Sequence, residues 1–222
     1  MRVAALIPAF NEAATIAQVV AGVRPHVAHV LVVDDGSGDG TAAQARRAGA
    51  AVVSHPENRG KGHAVRTGLA EILPHDYTHI LLLDGDLQHR PEEAPRLVSA
   101  ARDSGAELVV GERQFRREEM PASRYHANRI GSRALSGFMG VRLADTQCGY
   151  RVFRTDMLRR MKLRATGYDI ETEMLVKVGR LGGRIEHVPV TAVYGARSKL
   201  RPVRDTTRTC FRAVYYRFIE SL

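Results

Sequence analysis

The stretch Ile80-Leu81-Leu82-Leu83-Asp84-Gly85-Asp86 changes from wholly apolar to acidic within one short segment. A short apolar run of this kind predicts a strand that is buried on both faces of a sheet. The two carboxylates that follow can converge on one hard cation, and Gly85 lets the chain turn close to a ligand. A Mg²⁺ or Mn²⁺ ion held by one or two carboxylates and by substrate phosphates is typical of nucleotide sites. The stretch therefore predicts a metal-assisted nucleotide site at the end of a central strand.

Strand-like and helix-like segments alternate through the first half of the chain. Short apolar runs predict strands, and segments with apolar residues at helical spacing predict the helices between them. The predicted strands are 3–7, 30–33, 51–54, 80–83 and 108–110, and the predicted helices are 12–23, 39–48, 62–73 and 91–101. This order predicts an α/β fold with a mostly parallel sheet flanked by helices, in which ligands bind at the carboxyl ends of the strands.

The pattern changes after about residue 112. Residues 113–133 are rich in arginine and only weakly periodic. Beyond them the sequence predicts a strand at 149–153, a helix at 168–180, an extended segment at 185–193 and an amphipathic helix at 203–219. No internal repeat and no flexible linker is visible. We therefore predict one domain over 1–222, made of a nucleotide-binding half at 1–112, a second half at 113–200 and a C-terminal amphipathic helix at 201–222.

The chain is basic, with 33 Lys and Arg against 24 Asp and Glu and a formal net charge of +9. Such a balance indicates an anionic partner. Much of the excess lies in 194–222, where seven basic residues accompany two acidic ones. Arg204, Arg208 and Arg212 form one stripe of the predicted helix, and apolar side chains form another. This pattern predicts a helix on an anionic membrane surface; the alternative is a helix packed on the domain with a solvated basic face.

Composition excludes several other classes of protein. Aromatic residues make up 6% of the chain, Trp is absent, and no recognition helix or zinc-finger spacing is present, so nucleic acid is not expected as a partner. The longest apolar runs are strand-sized, and the N-terminal one stops at Pro8, so neither a transmembrane segment nor a signal peptide is predicted. Two cysteines cannot form a disulfide framework, which favours a cytosolic setting.

Two polar motifs in the first half allow a functional and a structural interpretation. In 34–41, the acidic side chains could hydrogen-bond a base or a ribose, or Ser37 or Asp39 could cap the helix that follows. In 58–62, Lys61 could face a phosphate or could be a solvated loop lysine. The spacing of this second motif is not that of a P-loop.

Five motifs in this order resemble those of family 2 glycosyltransferases of the GT-A fold. They are Pro8-Ala9-Phe10-Asn11-Glu12, Asp34-Asp35-Gly36-Ser37, Asn58-Arg59-Gly60-Lys61-Gly62, the segment 84–92 that begins Asp84-Gly85-Asp86, and Asp145-Thr146-Gln147-Cys148-Gly149-Tyr150-Arg151. The resemblance covers residues 3 to about 200 and is strongest to the dolichol-phosphate mannosyltransferase or polyprenyl-phosphate glycosyltransferase type. It implies a divalent cation, Mg²⁺ or Mn²⁺, and inversion at the anomeric carbon.

The resemblance also implies roles for individual residues. The nucleotide pocket would be lined by Pro8, Phe10 and Glu12, with Asp35 holding the base. Asp84 and Asp86 would hold the metal ion, with Gln88 adjoining it. The phosphates of donor and acceptor would face Arg113, Ser198 and Lys199. Independently of the resemblance, the positive charges of Lys61 and of Arg129, in the basic segment 113–133, make them further candidates for phosphate contacts. Asp86, Arg113, Asp169 and Lys199 are accordingly the residues predicted to act in catalysis, and 113–200 is the acceptor-side half.

The acidic segment 168–173 bears on the nature of the acceptor. Asp169 and Glu173 are four residues apart and share one face of the predicted helix. A hydroxyl acceptor would need a base, which Asp169, Glu171 or Glu173 would supply. A phosphate acceptor is already an anion and needs no base, so in that case we favour a role for these carboxylates in positioning the substrate. The structural alternative is that they are acidic charges that stabilise the start of the helix. The segment also resembles glucosyl-type members of the family, which favours a UDP donor.

The functional prediction joins these features. We expect transfer of a hexose from a donor of the UDP-glucose or GDP-mannose type to a polyprenyl or dolichyl phosphate, by an enzyme bound peripherally to the cytoplasmic face of a membrane. The nearest alternative is a family 2 transferase with a saccharide or another hydroxyl acceptor. A non-catalytic sugar-nucleotide sensor and a nucleotidyltransferase with a similar sheet are further alternatives, and the second would release pyrophosphate from a nucleoside triphosphate.

Overall fold

The computed structural model describes residues 1–113, 137, 148–191 and 215–216. The strands of its sheet are β1 (Val3–Ala9), β2 (His29–Asp34), β3 (Ala51–Ser54), β4 (His79–Leu82), β5 (Leu108–Arg113), β6 (Arg151–Arg154) and β7 (Ile185–Val190). The helices are α1 (Ile16–Val23), α2 (Thr41–Arg47), α3 (Lys61–Ile72), α4 (Ala94–Ser104), α5 (Thr155–Arg159) and α6 (Ile170–Arg180). Short 3₁₀ turns follow α1 at Arg24–His26 and precede α4 at Pro91–Glu93.

One sheet runs through the described residues in the order β3-β2-β1-β4-β6-β5-β7. Strands β1 to β4 are mutually parallel, and β5 is parallel to β7. Strand β6 lies between β4 and β5 and is antiparallel to both. The predicted α/β fold with a mostly parallel sheet is therefore confirmed, with β6 as the strand that reverses direction.

The direction of β6 determines which residues lie at the edge of the sheet where β1, β2 and β4 end. Leu82 at the carboxyl end of β4 is in register with Arg151, the first residue of β6. The chain therefore enters β6 at the edge where β1, β2 and β4 end, and the preceding residues Cys148–Tyr150 lie there too. A parallel β6 would have taken them to the opposite edge.

Helices cover the sheet through apolar residues at helical spacing. In α1, the buried residues Ile16, Val19, Val20 and Val23 form the single stripe that the sequence predicts. Helix α3 comes so close to β1 that a Cβ at Gly68 would lie 2.1 Å from Leu6 Cδ1. Helix α6 is buried on nearly every side, and its buried residues include the charged side chains of Glu171, Glu173 and Lys177. Such charges are stable in a core only when they are paired.

Several elements begin later than the sequence predicts. The helix predicted from residue 12 begins at Ile16, because residues 13–15 form a turn. The helix predicted from residue 39 begins at Thr41, after Gly40 with φ of 91°. The helix predicted from residue 168 begins at Ile170. A residue with positive φ cannot continue a right-handed helix, which explains the later start after Gly40.

The predicted C-terminal helix lies largely outside the described residues. Within it, Tyr215 and Tyr216 are helical, and Tyr216 is buried. Arg180 Nη1 donates a hydrogen bond of 2.7 Å to the carbonyl oxygen of Tyr216, so this short piece contacts the end of α6. Among the described residues, no helix has the length and apolar character needed to cross a membrane.

Candidate active site

A cleft opens at the carboxyl ends of β1, β2 and β4. Its walls include seven of the residues that the sequence predicts for donor and metal binding: Pro8, Phe10, Glu12, Asp35, Lys61, Asp84 and Asp86. Gly167 and Tyr168, from the loop before α6, also line the cleft. Phe10 is 37% exposed and Tyr168 is 62% exposed, so both present aromatic surface at the rim. Exposed aromatic faces at a cleft can stack on a base or a sugar.

Hydrogen bonds join the loops after β1 and β2 into one wall of the cleft. The backbone N–H of Asn11 donates to Ser37 Oγ at 2.8 Å, and Asn11 Oδ1 accepts from Gly38 N at 3.1 Å. Asp39 Oδ2 accepts from Ala13 N at 3.0 Å, while its Oδ1 accepts from Thr41 N at 3.0 Å. Asp39 thus supports the start of α2 and also fixes the first loop.

Asp35 anchors the next loop to the same wall. Its side chain is buried; Oδ1 accepts from Arg59 N at 3.0 Å and is 2.6 Å from His55 Nδ1, and Oδ2 accepts from Gly60 N at 2.7 Å. The side chain lines the cleft as predicted. Its clearest role in the structure is to hold the turn that leads into α3, and base binding stays a prediction.

Lys61, the first residue of α3, connects two acidic side chains at the cleft. Its Nζ lies 2.5 Å from Asp84 Oδ1 and 2.6 Å from Glu171 Oε1, and its side chain is only 12% exposed. Burial disfavours the charged ammonium, but attraction by Asp84 and then Glu171 outweighs burial and raises the pKa of Lys61 above its ordinary value. Of the two interpretations of this lysine, a solvated loop side chain is wrong.

Close backbone packing fixes the position of Lys61. Gly62 N donates to the carbonyl oxygen of Thr166 at 2.9 Å, which docks the start of α3 on the loop before α6. A Cβ at Gly60 would lie 2.4 Å from that same oxygen, and Gly60 has φ of 97°. Only glycine accommodates both the positive φ and this contact.

The carboxylate of Asp84 rests against Gly149, just before β6. A Cβ at Gly149 would lie 2.3 Å from Asp84 Oδ2 and 3.2 Å from Glu171 Oε1, so no larger residue fits there without displacing the site. Arg151 holds this backbone in place: its Nε donates to the Cys148 carbonyl oxygen and its Nη1 to that of Glu171, both at 2.7 Å. The fully buried guanidinium therefore joins the β6 entry to α6.

Asp86 is the second carboxylate of the motif after β4. Its Oδ1 accepts from Gln88 N at 3.0 Å, across Leu87, which has an unusual φ of 59°. Burial and the adjacent negative charge of Asp84 raise the pKa of Asp86. Burial also acts to raise the pKa of Asp84, but the Lys61 ammonium lowers it below its usual value. Two hard oxygen donors that repel each other in one cleft fit a divalent cation of the Mg²⁺ or Mn²⁺ kind.

The three carboxylates of the acidic segment have different surroundings. Glu171 is the one that contacts Lys61 beside Asp84. Asp169 precedes α6, and its Oδ2 accepts from the Tyr216 hydroxyl at 2.6 Å. Glu173 is fully buried, where it accepts from Arg164 N at 2.9 Å and pairs with Lys177 Nζ at 2.8 Å. Although Asp169 and Glu173 are four residues apart, their side chains serve different parts of the structure.

This geometry can be compared with known proteins. The model of the family "Glycosyl transferase family 2" matches residues 4–166. The chain belongs to this family of glycosyltransferases. An undecaprenyl-phosphate mannosyltransferase of Micrococcus luteus is 35% identical over 206 residues, which are 87% of this chain and 84% of the relative. Glycosyltransferase AglJ of Haloferax volcanii is 36% identical over 206 residues, 90% of this chain and 67% of the relative.

Solved structures agree with the fold. Glucosyl-3-phosphoglycerate synthase from Mycobacterium tuberculosis, crystallised with Mn²⁺, UDP-glucose and phosphoglyceric acid, matches with a TM-score of 0.77 at 25% identity. The match covers 97% of this chain and 79% of that one. The predicted resemblance to family 2 glycosyltransferases and the predicted GT-A fold are both confirmed.

Other predicted site residues lie apart from this glycosyltransferase cleft or outside the described residues. Gln88 is half-buried beside Asp86, and Arg113 ends β5 in register with Val190. Within the described residues, neither belongs to the cleft walls given above. Three predicted phosphate-binding residues fall outside the described part of the chain: Arg129, Ser198 and Lys199.

The sequence did not single out three residues that build the cleft. These are Gly149, Arg151 and Tyr168, although the first two lie in the motif 145–151 and Tyr168 lies in the acidic segment 168–173. The available signal was Gly149 at the start of a predicted strand, since a glycine there is compatible with a close backbone approach. What this glycine approaches depends on the antiparallel pairing of β6 with β4.

Proposed function

We propose that this glycosyltransferase moves a hexose from a nucleotide-diphosphate sugar to a polyprenyl phosphate, with inversion at the anomeric carbon. One observation carries the proposal: Asp84 and Asp86 share a cleft with Lys61 and two exposed aromatic rings at the carboxyl ends of the strands. The similarity to an undecaprenyl-phosphate mannosyltransferase, which extends over most of both chains, supports the polyprenyl phosphate acceptor.

The donor would lie across the cleft with its diphosphate toward the acidic motif. Pro8, Phe10 and Glu12 would line the nucleotide pocket, with Asp35 near the base. UDP-glucose and GDP-mannose are the two candidate donors. The mannosyltransferase relative supports mannose as the transferred sugar, and the UDP-glucose in the structural neighbour supports UDP-glucose as the donor.

Asp84 and Asp86, with Gln88 adjoining, would hold Mg²⁺ or Mn²⁺. When bound, the ion would neutralise charge on the nucleoside diphosphate that leaves. Lys61 lies beside Asp84 and Glu171, where its ammonium would also attract a diphosphate oxygen of the donor. Most of the rate would come from positioning and from electrostatic stabilisation of the leaving group.

On the acceptor side, a phosphate oxygen would attack the anomeric carbon from the face opposite to the leaving diphosphate. This acceptor is already an anion, so the chain need not supply a base. Arg113, Arg129, Ser198 and Lys199 are our proposed contacts to the phosphates, and Asp169 would position the loop before α6. The basic stripe of 201–222 would hold the enzyme at the cytoplasmic face of a membrane.

A hydroxyl acceptor is the second candidate, because the structural neighbour was crystallised with phosphoglyceric acid. In that case a carboxylate must accept the hydroxyl proton. Among the three carboxylates considered from the sequence, Glu171 is the one beside Asp84 and Lys61 at the cleft.

The test uses the purified enzyme with Mn²⁺ or Mg²⁺, labelled UDP-glucose or GDP-mannose, and undecaprenyl phosphate in detergent. Transfer of label into the organic phase, with release of a nucleoside diphosphate, is the expected result. Label that enters only water-soluble products with hydroxyl acceptors would favour the second candidate. Donor binding without turnover for any acceptor would refute both.

A further inference from the structure

The ion pairs of Lys61 involve the same carboxylate that is proposed to hold the metal ion. Lys61 Nζ lies 2.5 Å from Asp84 Oδ1, while Asp84 Oδ2 packs against Gly149 on the other side. The ammonium therefore occupies the oxygen of Asp84 that faces away from Gly149. Glu171 Oε1, at 2.6 Å, provides a second negative charge to the same ammonium.

The position of Lys61 in its own helix does not explain this contact. Lys61 is the first residue of α3, where the helix dipole is positive and a cation is disfavoured. Its backbone is held by the Gly62 hydrogen bond to Thr166 and by the close approach of Gly60 to the same carbonyl oxygen. The chain thus fixes a cation at an unfavourable helix position, and two carboxylates stabilise it there.

We propose that Lys61 is an internal cation that competes with the divalent metal ion for Asp84, so that the metal binds together with the donor diphosphate rather than before it. This inference rests on the proposed use of a metal by the enzyme. An ammonium at Asp84 Oδ1 repels a divalent ion at the same carboxylate. A bound diphosphate offers the ammonium an alternative anionic partner, which frees Asp84.

Removal of the charge at position 61 should therefore strengthen metal binding when no donor is present. In Lys61→Met, the cleft keeps the acidic side chains of Asp84, Asp86 and Glu171 and loses the cation that neutralises them. We expect the Kd for Mn²⁺ alone to fall by about tenfold or more. Lys61→Arg keeps the positive charge and should retain the wild-type affinity.

Arg59→Met is the matched control, because it removes one positive charge two residues away. The Arg59 side chain is exposed, and the contact of this residue with Asp35 is made by its backbone N–H, which the variant keeps. A general change in net charge would affect both variants alike. Competition at Asp84 would affect only Lys61→Met.

Each variant is titrated with Mn²⁺ alone, and the electron paramagnetic resonance signal of the free ion reports how much is bound. The titration is then repeated in the presence of UDP and of GDP. The proposal is supported if Lys61→Met binds Mn²⁺ more tightly than the wild type while Lys61→Arg and Arg59→Met do not. The tighter binding should disappear in the double variant Lys61→Met with Asp84→Asn. Nucleotide should also increase the Mn²⁺ affinity of Lys61→Met less than it increases that of the wild type. A Kd for Lys61→Met within twofold of wild type, or equally tight binding in Lys61→Arg or Arg59→Met, would overturn the proposal. Thermal unfolding of each variant verifies that it is folded. The Mn²⁺ titration contains no acceptor. It therefore tests the role of Lys61 even if polyprenyl phosphate proves not to be the acceptor.

Discussion

The buried ion pair in α6 allows a prediction about the stability of the fold. Glu173 and Lys177 are one helical turn apart, and both side chains are 0% exposed. Glu173 also accepts hydrogen bonds from Arg164 N and Ala165 N, at 2.9 and 2.8 Å. We expect Glu173→Gln to be strongly destabilising, because the Lys177 ammonium then stays buried without its anionic partner.

The magnitude follows from what each variant leaves behind. Breaking a buried ion pair by removing one partner costs about 3–5 kcal/mol. An amide at 173 also turns a donor toward backbone N–H groups, which costs about 1–3 kcal/mol, but the two effects overlap. We therefore expect a loss of about 4 kcal/mol for Glu173→Gln. Lys177→Met should cost less, because Glu173 would keep its two backbone donors.

Urea unfolding followed by circular dichroism measures these differences, provided that the m-value is unchanged. Glu186→Gln, at an exposed position of β7, is the matched control and should change stability by less than about 0.5 kcal/mol. The double variant Glu173→Gln with Lys177→Met removes both charges, keeps an oxygen acceptor at position 173 and should be more stable than Glu173→Gln alone. A loss below about 1 kcal/mol for Glu173→Gln would refute the assignment of this pair as a buried anchor.

Three further changes test the cleft itself. Gly149→Ala should lower the transfer rate by about 100-fold through displacement of Asp84, and a rate within threefold of wild type in a folded variant would contradict this. Asp35→Asn should lower the free energy of unfolding by about 1–3 kcal/mol and raise the KM for the donor, because one acceptor oxygen that holds the turn into α3 is lost. An unchanged melting temperature and an unchanged KM would show that Asp35 does not hold this turn. Removal of divalent ions with EDTA should abolish transfer and Mn²⁺ should restore it, whereas full activity in EDTA would exclude a metal requirement.

The sequence predicted the N-terminal half of the fold well, because its strands are short apolar runs that end in polar motifs. The segment 80–86 identified the position of Asp84 and Asp86 from local pattern alone. The helix starts were less accurate, since periodicity reveals neither the turn at 13–15 nor the left-handed conformation of Gly40. Local signals thus define which elements exist better than where each begins.

Contacts between distant segments could not be predicted in the same way. Lys61 and Glu171 are 110 positions apart, and nothing in either motif names the other as its partner. The three carboxylates near the start of α6 look alike in sequence, yet the side chain of Glu173 is buried with Lys177 and that of Asp169 reaches Tyr216. Their separation into different roles depends on the packing of α6, which is decided by the whole fold.

The insertion of β6 between β4 and β5 has a consequence for how the enzyme is made. Strand β5 is synthesised before β6, so a nascent chain that ends before residue 148 lacks the strand that stands between β4 and β5 in the finished sheet. Pairing of β6 with β4 joins His79 to Arg154, a long-range contact of the kind that forms slowly. Since the Gly149 support of Asp84 arrives with β6, we expect catalytic competence to emerge only after β6 has left the ribosome, well after residues 1–112 have done so.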